Sequence, residues 1–145
     1  MNMDNSPEFQ LFDDYLRSRG MKFSKPRRII LKLFLEGEDH KDIEKLVVEA
    51  KSIDSLISRS TVYRTMNLLA DCGLADEINF SGDRKHFENL SKKKHHDHFF
   101  CTKCSSVGEF HHPMIEKLQE EVAQTKGFQI TSHRMILYGI CGNCK

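Results

Sequence analysis

The chain has 145 residues, enough for one ordinary domain or two small ones and too few for a large enzyme with its own cofactor domain. It holds no Trp, no apolar run near the ~20 residues a membrane span requires and no apolar segment behind its N-terminal acids, which places it in the cytosol with no membrane partner. The net charge is only +1, but the charges are segregated. Arg17, Arg19, Lys22, Lys25, Arg27, Arg28 and Lys32 lie between Tyr15 and Leu35 with no acid among them, whereas seven acids meet three lysines from Glu36 to Asp54. A positive face on a near-neutral chain suits a phosphate-binding surface, although a solvated amphipathic helix would give the same run.

In chain order, residues 8–19 read as a short helix and residues 21–23 as a link. Ser24 can cap a second helix that takes Pro26 in its first turn and carries Ile29, Ile30, Leu33 and Phe34 as its apolar stripe. Asp39 or His40 precedes a third helix with Ile43, Leu46, Val47 and Ala50 inward. A fourth starts near Ser58 or Ser60 and runs to Leu69, with Gly73 as a left-handed terminator. The strand-like runs Leu74–Phe80 and Arg84–Glu88 flank a turn signal at Ser81, Gly82 and Asp83. Helices followed by a hairpin give the winged helix-turn-helix order.

Residues 89–94 are polar and lysine-rich, as in a hinge. Beyond them the pattern changes to strand (His96–Cys101), strand (Val107–Phe110), helix (Pro113–Lys126) and strand (Phe128–Ile140), a second small α/β lobe. The expectation is an α+β chain: a winged-helix DNA-binding domain over residues 1–88, a hinge over 89–94 and a metal-binding domain over 95–145.

Five cysteines in a reducing compartment are not a disulfide framework, and four of them form two Cys-x-x-Cys pairs, Cys101 with Cys104 and Cys141 with Cys144. Four thiolates close a tetrahedral shell around Zn²⁺ and leave no position for water or substrate, so the site they imply is structural. A dithiol redox centre would use one pair and leave the second unexplained. Cys72, beside Gly73, reads as a small core residue. The run His95, His96, Asp97, His98 enters the strand that leads to Cys101, and alternation would put His96 and His98 on one face and His95 and Asp97 on the other. One tetrapeptide can then feed two metal sites.

The segments RSTVYRTMNLLADCGL, HHDHFFCTKC, EFHHPMIEKLQEEVA and ITSHRMILYGICGNC resemble, in that order, the recognition helix, metal cluster, dimerisation helix and last strand of regulators of the ferric uptake regulator family. The resemblance spans nearly the whole chain. It implies a homodimeric, metal-responsive repressor that binds palindromic A·T-rich operators in double-stranded DNA, with residues 95–145 as the dimerisation domain.

The resemblance also implies a sensory site of His40, Glu88, His96, His98 and Glu109, and an accessory site of His95, Asp97, Glu116 and His133. Imidazole and carboxylate donors suit Fe²⁺, Mn²⁺ or Zn²⁺, while thiolates select zinc. Peroxide-sensing relatives carry Asp where this chain has Glu88, and zinc-sensing relatives often place Cys near the position of Leu90, so Fe²⁺ is the expected regulatory ion, with Mn²⁺ or Zn²⁺ as alternatives. For DNA, the resemblance puts Tyr63 and Arg64 in the major groove, Tyr63 against thymine methyl groups and Arg64 on a base edge or phosphate, and Lys22 in the minor groove, with Arg27 and Arg59 on phosphates. From another class, a metallohydrolase would use similar ligands but needs an open coordination position and a general base in a cleft.

Overall fold

A computed structural model of the chain describes residues 5–37, 40–80, 85–91 and 94–145. The chain divides into two compact units, Met1–Lys93 and Lys94–Lys145.

In the first unit, α1 (Pro7–Ser18), α2 (Lys25–Leu35), α3 (Ile43–Ile53) and α4 (Arg59–Asp71) surround one apolar core. Each helix turns a stripe of roughly 3.6-residue period inward: Phe9, Phe12 and Leu16; Ile30, Leu31 and Phe34; Ile43, Leu46, Val47 and Ala50; Val62, Met66 and Leu69. Burial of each large side chain contributes about 1.5–3 kcal/mol. Side-chain caps set the starts, since Ser6, Asp42 and Ser58 accept hydrogen bonds from the backbone N–H groups of Phe9, Glu44 and Thr61. Ser24 does not make the expected cap bond, and Pro26 in the first turn of α2 carries no N–H that would need one. Gly73 ends α4 at φ +87°, where Leu74 N–H reaches the carbonyl of Leu69 at 3.0 Å. Cys72 packs half-buried against this core, as expected.

One element is not visible in the sequence pattern. His40–Asp42 forms a strand, β1, so the third helix begins at Ile43 rather than directly after residue 39 or 40. β1 pairs antiparallel with β3 (His86–Asn89), which also pairs with β2 (Ala75–Ile78), giving a three-stranded sheet in the order β1-β3-β2. Three residues, His-Lys-Asp, carry no apolar alternation, and only β3 makes them a strand. The turn expected at Ser81, Gly82 and Asp83, together with Arg84, Asp39 and positions 92–93 of the proposed hinge, lies outside the described residues. β3 itself runs through Asn89, whose side chain accepts hydrogen bonds from Ser91 N–H at 2.9 Å and Ser91 Oγ at 2.6 Å.

In the second unit, β4 (Asp97–Cys101) is central, with β5 (Val107–Phe110) antiparallel on one side and β6 (Ile136–Gly139) parallel on the other. α5 (Pro113–Thr125) connects β5 towards β6 and is capped by His112, whose Nδ1 accepts from Met114 N–H at 3.1 Å. The last strand is much shorter than the expected Phe128–Ile140, and residues 128–135 are irregular. In the parallel register Ile136 lies opposite His98, and β4 starts only at Asp97, so the earlier residues have no ladder partner. His133 therefore sits on a loop and not in a strand. Few apolar side chains are buried here: Phe100, Cys101 and Ala123 are, whereas Met114, Leu118 and Val122 of α5, together with Phe128, Leu137 and Ile140, are exposed.

Candidate functional site

The four clustered cysteines come from two turns. Cys101 ends β4 and Cys104 follows in a turn closed by Ser105 N–H to the carbonyl of Cys101 at 2.9 Å, with Ser105 at φ +62°. Cys144 N–H likewise reaches the carbonyl of Cys141 at 3.0 Å. The four Sγ atoms lie within 4.8 Å of one another, and Cys104 and Cys141 sulfurs are 3.7 Å apart. A tetrahedron with Zn–S bonds of about 2.3 Å has S···S edges of about 3.8 Å, close to the spacing of the Cys104–Cys141 pair, so the cluster fits a structural zinc site. No disulfide joins them. The backbone N–H groups of Cys104 and Cys141 point at Cys101 Sγ and hold its thiol down at about 6. Hydrogen bonding to Cys141 and Cys104 pushes Cys144 up to about 12, because four crowded sulfurs cannot all ionise without a cation among them.

A second cluster joins distant parts of the same unit. His95 Nε2 and His133 Nε2 are 2.8 Å apart, and Glu116 Oε1 lies 3.2 Å from the first and 3.4 Å from the second. Asp97 Oδ1 is 3.7 Å from both imidazoles. Asp97 is 1 % exposed, and neither of its oxygens nor Glu116 Oε1 accepts a hydrogen bond. Buried carboxylate oxygens without donors are costly. A divalent cation would satisfy them and the two converging imidazole nitrogens together, so the residues fit a metal.

Other donors are held within each unit separately. In the first, the register of β1 and β3 sets His40 opposite Glu88, with Nε2 3.3 Å from Oε1, and Glu88 is only 2 % exposed. In the second, His98 pairs with Glu109 across β4 and β5, His96 Nε2 is 3.8 Å from Glu109 Oε1, and the His96 and His98 rings are 4.8 Å apart. His96 Nδ1 lies 2.9 Å from the carbonyl of Lys94. A carbonyl only accepts, so Nδ1 carries a proton, and it is Nε2 that the neutral ring would offer to a metal.

The cationic residues gather on the first unit. Lys22, Arg27 and Arg64 line a cavity of about 370 Å³ with Ser24, Thr61 and Thr65, and Arg27 donates to the carbonyl of Lys22. Tyr63, one turn into α4, donates its hydroxyl to Glu44 Oε1 at 2.5 Å. Arg59 Nη2 reaches the same carboxylate oxygen at 2.6 Å and the phenol oxygen at 3.1 Å. Sequence reasoning missed Glu44, because an acid in the first turn of a helix ordinarily faces solvent and complements the helix dipole. Arg17 and Arg28 are engaged on their own unit, Arg17 by Asp13 at 3.1 Å and Arg28 over the Phe23 ring at 4.2 Å.

A winged-helix unit with a basic surface, followed by a small α/β unit with two metal-fitting clusters, defines a metal-dependent DNA-binding regulator. Residues 18–138 match the profile of the ferric uptake regulator family. The ferric uptake regulation protein of Campylobacter jejuni is 37 % identical over 145 residues, covering 99 % of this chain and 92 % of that protein. The Helicobacter pylori ferric uptake regulator, described as having three functional metal-binding sites, superposes with TM-score 0.86 at 26 % identity, covering 96 % of this chain and 94 % of that one. The Vibrio cholerae ferric uptake regulator, described as showing structural rearrangement of its DNA-binding domains, gives 0.76 at 34 % identity, covering 89 % and 98 %. The chain belongs to the ferric uptake regulator family. It is accordingly a transcription regulator and not an enzyme.

Proposed function

We propose that the protein is an iron-responsive repressor that binds palindromic A·T-rich operators as a homodimer. The observation that carries this reading is the His40–Glu88 pair, an almost fully buried carboxylate and an imidazole set opposite each other in the wing sheet of a DNA-binding fold. The wing needs no such pair for its core, which is closed by Phe87 and the helices. In this reading His96, His98 and Glu109, borne on the second unit, would belong to the same sensory ligand set, as the family resemblance implies.

A bound divalent cation would supply one positive centre shared by ligands from both units. Glu88 and His40 hold their half fixed by strand pairing, and the Lys94 carbonyl keeps His96 in the tautomer that presents Nε2. With a cation held there, these ligands would favour a state of the dimer whose two recognition helices match half-sites on one duplex. Coupling of the usual ~1–3 kcal/mol changes operator affinity about 5–150-fold.

Cys101, Cys104, Cys141 and Cys144 hold structural Zn²⁺ in this reading, and His95, Asp97, Glu116 and His133 hold an accessory ion. The exposed stripe Met114, Leu118 and Val122 on α5, beside an apolar hollow of about 600 Å³ that includes Phe128, Ile130 and Met135, supports the homodimer. On DNA, Tyr63 and Arg64 read bases, Lys22 enters the minor groove, and Arg27 and Arg59 hold phosphates. Among the described residues no helix is long and apolar enough to cross a membrane, in keeping with a cytosolic site of action. The nitrogen-and-oxygen sensory set suits Fe²⁺, Mn²⁺ and Zn²⁺ alike; Glu88 and Leu90 favour Fe²⁺, while the general affinity order favours zinc. Anisotropy titrations of a labelled palindromic duplex, run anaerobically with Fe²⁺, Mn²⁺, Zn²⁺ or chelator, test this. Tightening by Fe²⁺ is the expected result, tightening by Mn²⁺ or Zn²⁺ alone would reassign the ion, and affinity indifferent to every metal would overturn the reading.

A further inference from the structure

Against the first turns of α4 stands an acid of α3, Glu44, where phosphate binding calls for cations. Glu44 Oε1 accepts from Tyr63 at 2.5 Å and from Arg59 at 2.6 Å, Arg59 also donates to the phenol oxygen at 3.1 Å, and its guanidinium lies 5.1 Å from the ring centroid. Tyr63, Arg59 and Glu44 thus form a closed ring of contacts between α3 and α4. Glu44 reaches out from a backbone that is itself fixed, because its N–H is capped by Asp42 Oδ1 at 2.9 Å. The contact also raises the phenol above its usual 10.0, chiefly through the hydrogen bond to Glu44, so the hydroxyl keeps its own proton and donates it towards the carboxylate.

Two consequences follow from donor counts. A tyrosine hydroxyl has one proton, and once it is given to Glu44 nothing remains to donate to a base edge or a phosphate. The aromatic ring is then what DNA can meet, in keeping with the family resemblance, which sets this tyrosine against the C5-methyl group that marks thymine in the major groove. Arg59 has five N–H groups, so the nitrogen on Glu44 leaves the rest of its fork for a phosphate oxygen. Exposed ion pairs contribute little to folding, and an acid at this surface opposes phosphate approach. Stability alone therefore does not account for the arrangement.

We propose that Glu44 is a positioning residue for sequence specificity: it turns the Tyr63 hydroxyl inward, so that the ring reads thymine methyl groups, and fixes Arg59 beside it. The proposal rests on the reading of α4 as the recognition helix given above. The experiment uses the metal-loaded full chain, a palindromic A·T-rich duplex, the same duplex with uracil replacing thymine one position at a time, and a scrambled duplex. The wild-type protein should bind about fourfold more weakly for each contacted methyl removed. Glu44→Ala should bring that thymine-to-uracil ratio to about one while strengthening binding to the scrambled duplex, because a negative charge has left the surface. Glu44→Gln should strengthen scrambled binding in the same way but keep the ratio, since its amide oxygen still accepts from Tyr63. A role confined to helix stability would lower the melting temperature of both variants and leave the ratio alone. Retention of the ratio in Glu44→Ala, or a loss in Glu44→Gln as large as in Glu44→Ala, would overturn the proposal. A wild-type protein that binds the operator with metal but ignores the methyl groups overturns this proposal alone, whereas one with no metal-dependent operator binding overturns the underlying function and this proposal with it.

Discussion

The two units are held together by different physics. The first closes an apolar core in which Phe9, Phe12, Phe34, Leu16, Ile30 and Met66 are essentially removed from water. The second, with residues 94–145, buries little and leaves Val122 62 % and Phe128 73 % exposed. A unit of about 50 residues falls in the size range where hydrophobic burial alone is marginal and a metal or an oligomer interface usually makes up the difference. The four-cysteine cage and the His95 cluster occupy that place in the second unit. The difference fits the proposed division of roles, in which the first unit reads DNA and the second relies on ions and on a second copy for its order.

The sharpest way to break this contrast is to remove the cage. Cys104→Ser, or exhaustive chelation, should unfold or monomerise the second unit, because structural zinc sites contribute on the order of 10 kcal/mol of folding free energy at neutral pH. The helical signal of the first unit should survive. Zinc content, sedimentation and limited proteolysis read the outcome, and a zinc-free chain that stayed a folded dimer would remove the basis of the comparison.

The converse variant acts on the other side. Phe12→Ala leaves a cavity in the first core and should cost about 3–5 kcal/mol there, with the cysteine cage still retaining its ion. Simultaneous loss of both units in a denaturant titration would show that they do not fold as separately as their cores suggest.

Smaller effects sharpen the division of labour among the ligands. His96→Ala removes a ligand of the proposed sensory set and should abolish the metal response of operator binding, a loss of about 5–150-fold. His95→Ala should only weaken it, since Asp97, Glu116 and His133 all belong to the second unit. A silent His95→Ala beside a responsive His96→Ala would exchange the sensory and accessory assignments. On the DNA side, Arg64→Ala should cost about 1–3 kcal/mol on the operator and less on scrambled sequence. The smallest change is expected of Lys25→Ala, which should weaken matched and scrambled duplexes alike and lower the salt slope by about one. Equal losses on both duplexes for Arg64→Ala would move base reading to Tyr63.

What the sequence determined by itself was whatever depends on near neighbours. The apolar stripes read for α2 and α3 fall on helices, although Leu31 is buried in α2 beyond the expected stripe; Ser58 and Gly73 bounded α4 closely, and the two Cys-x-x-Cys pairs pointed to a tetrahedral thiolate site, because helix periodicity, capping and ligand chemistry act within a few residues. Tertiary structure decided what depends on partners far along the chain. His40–Asp42 is a strand only because β3 lies beside it, and residues 128–135 are not one because β4 begins too late to pair with them. His95 and Asp97 meet Glu116 and His133 through the path from α5 back to β6, a closure across 38 positions. Glu44 meets Tyr63 across 19 positions because α3 packs on α4. No local preference encodes such meetings: they follow from backbone pairing and core packing, which exist only once the chain has folded.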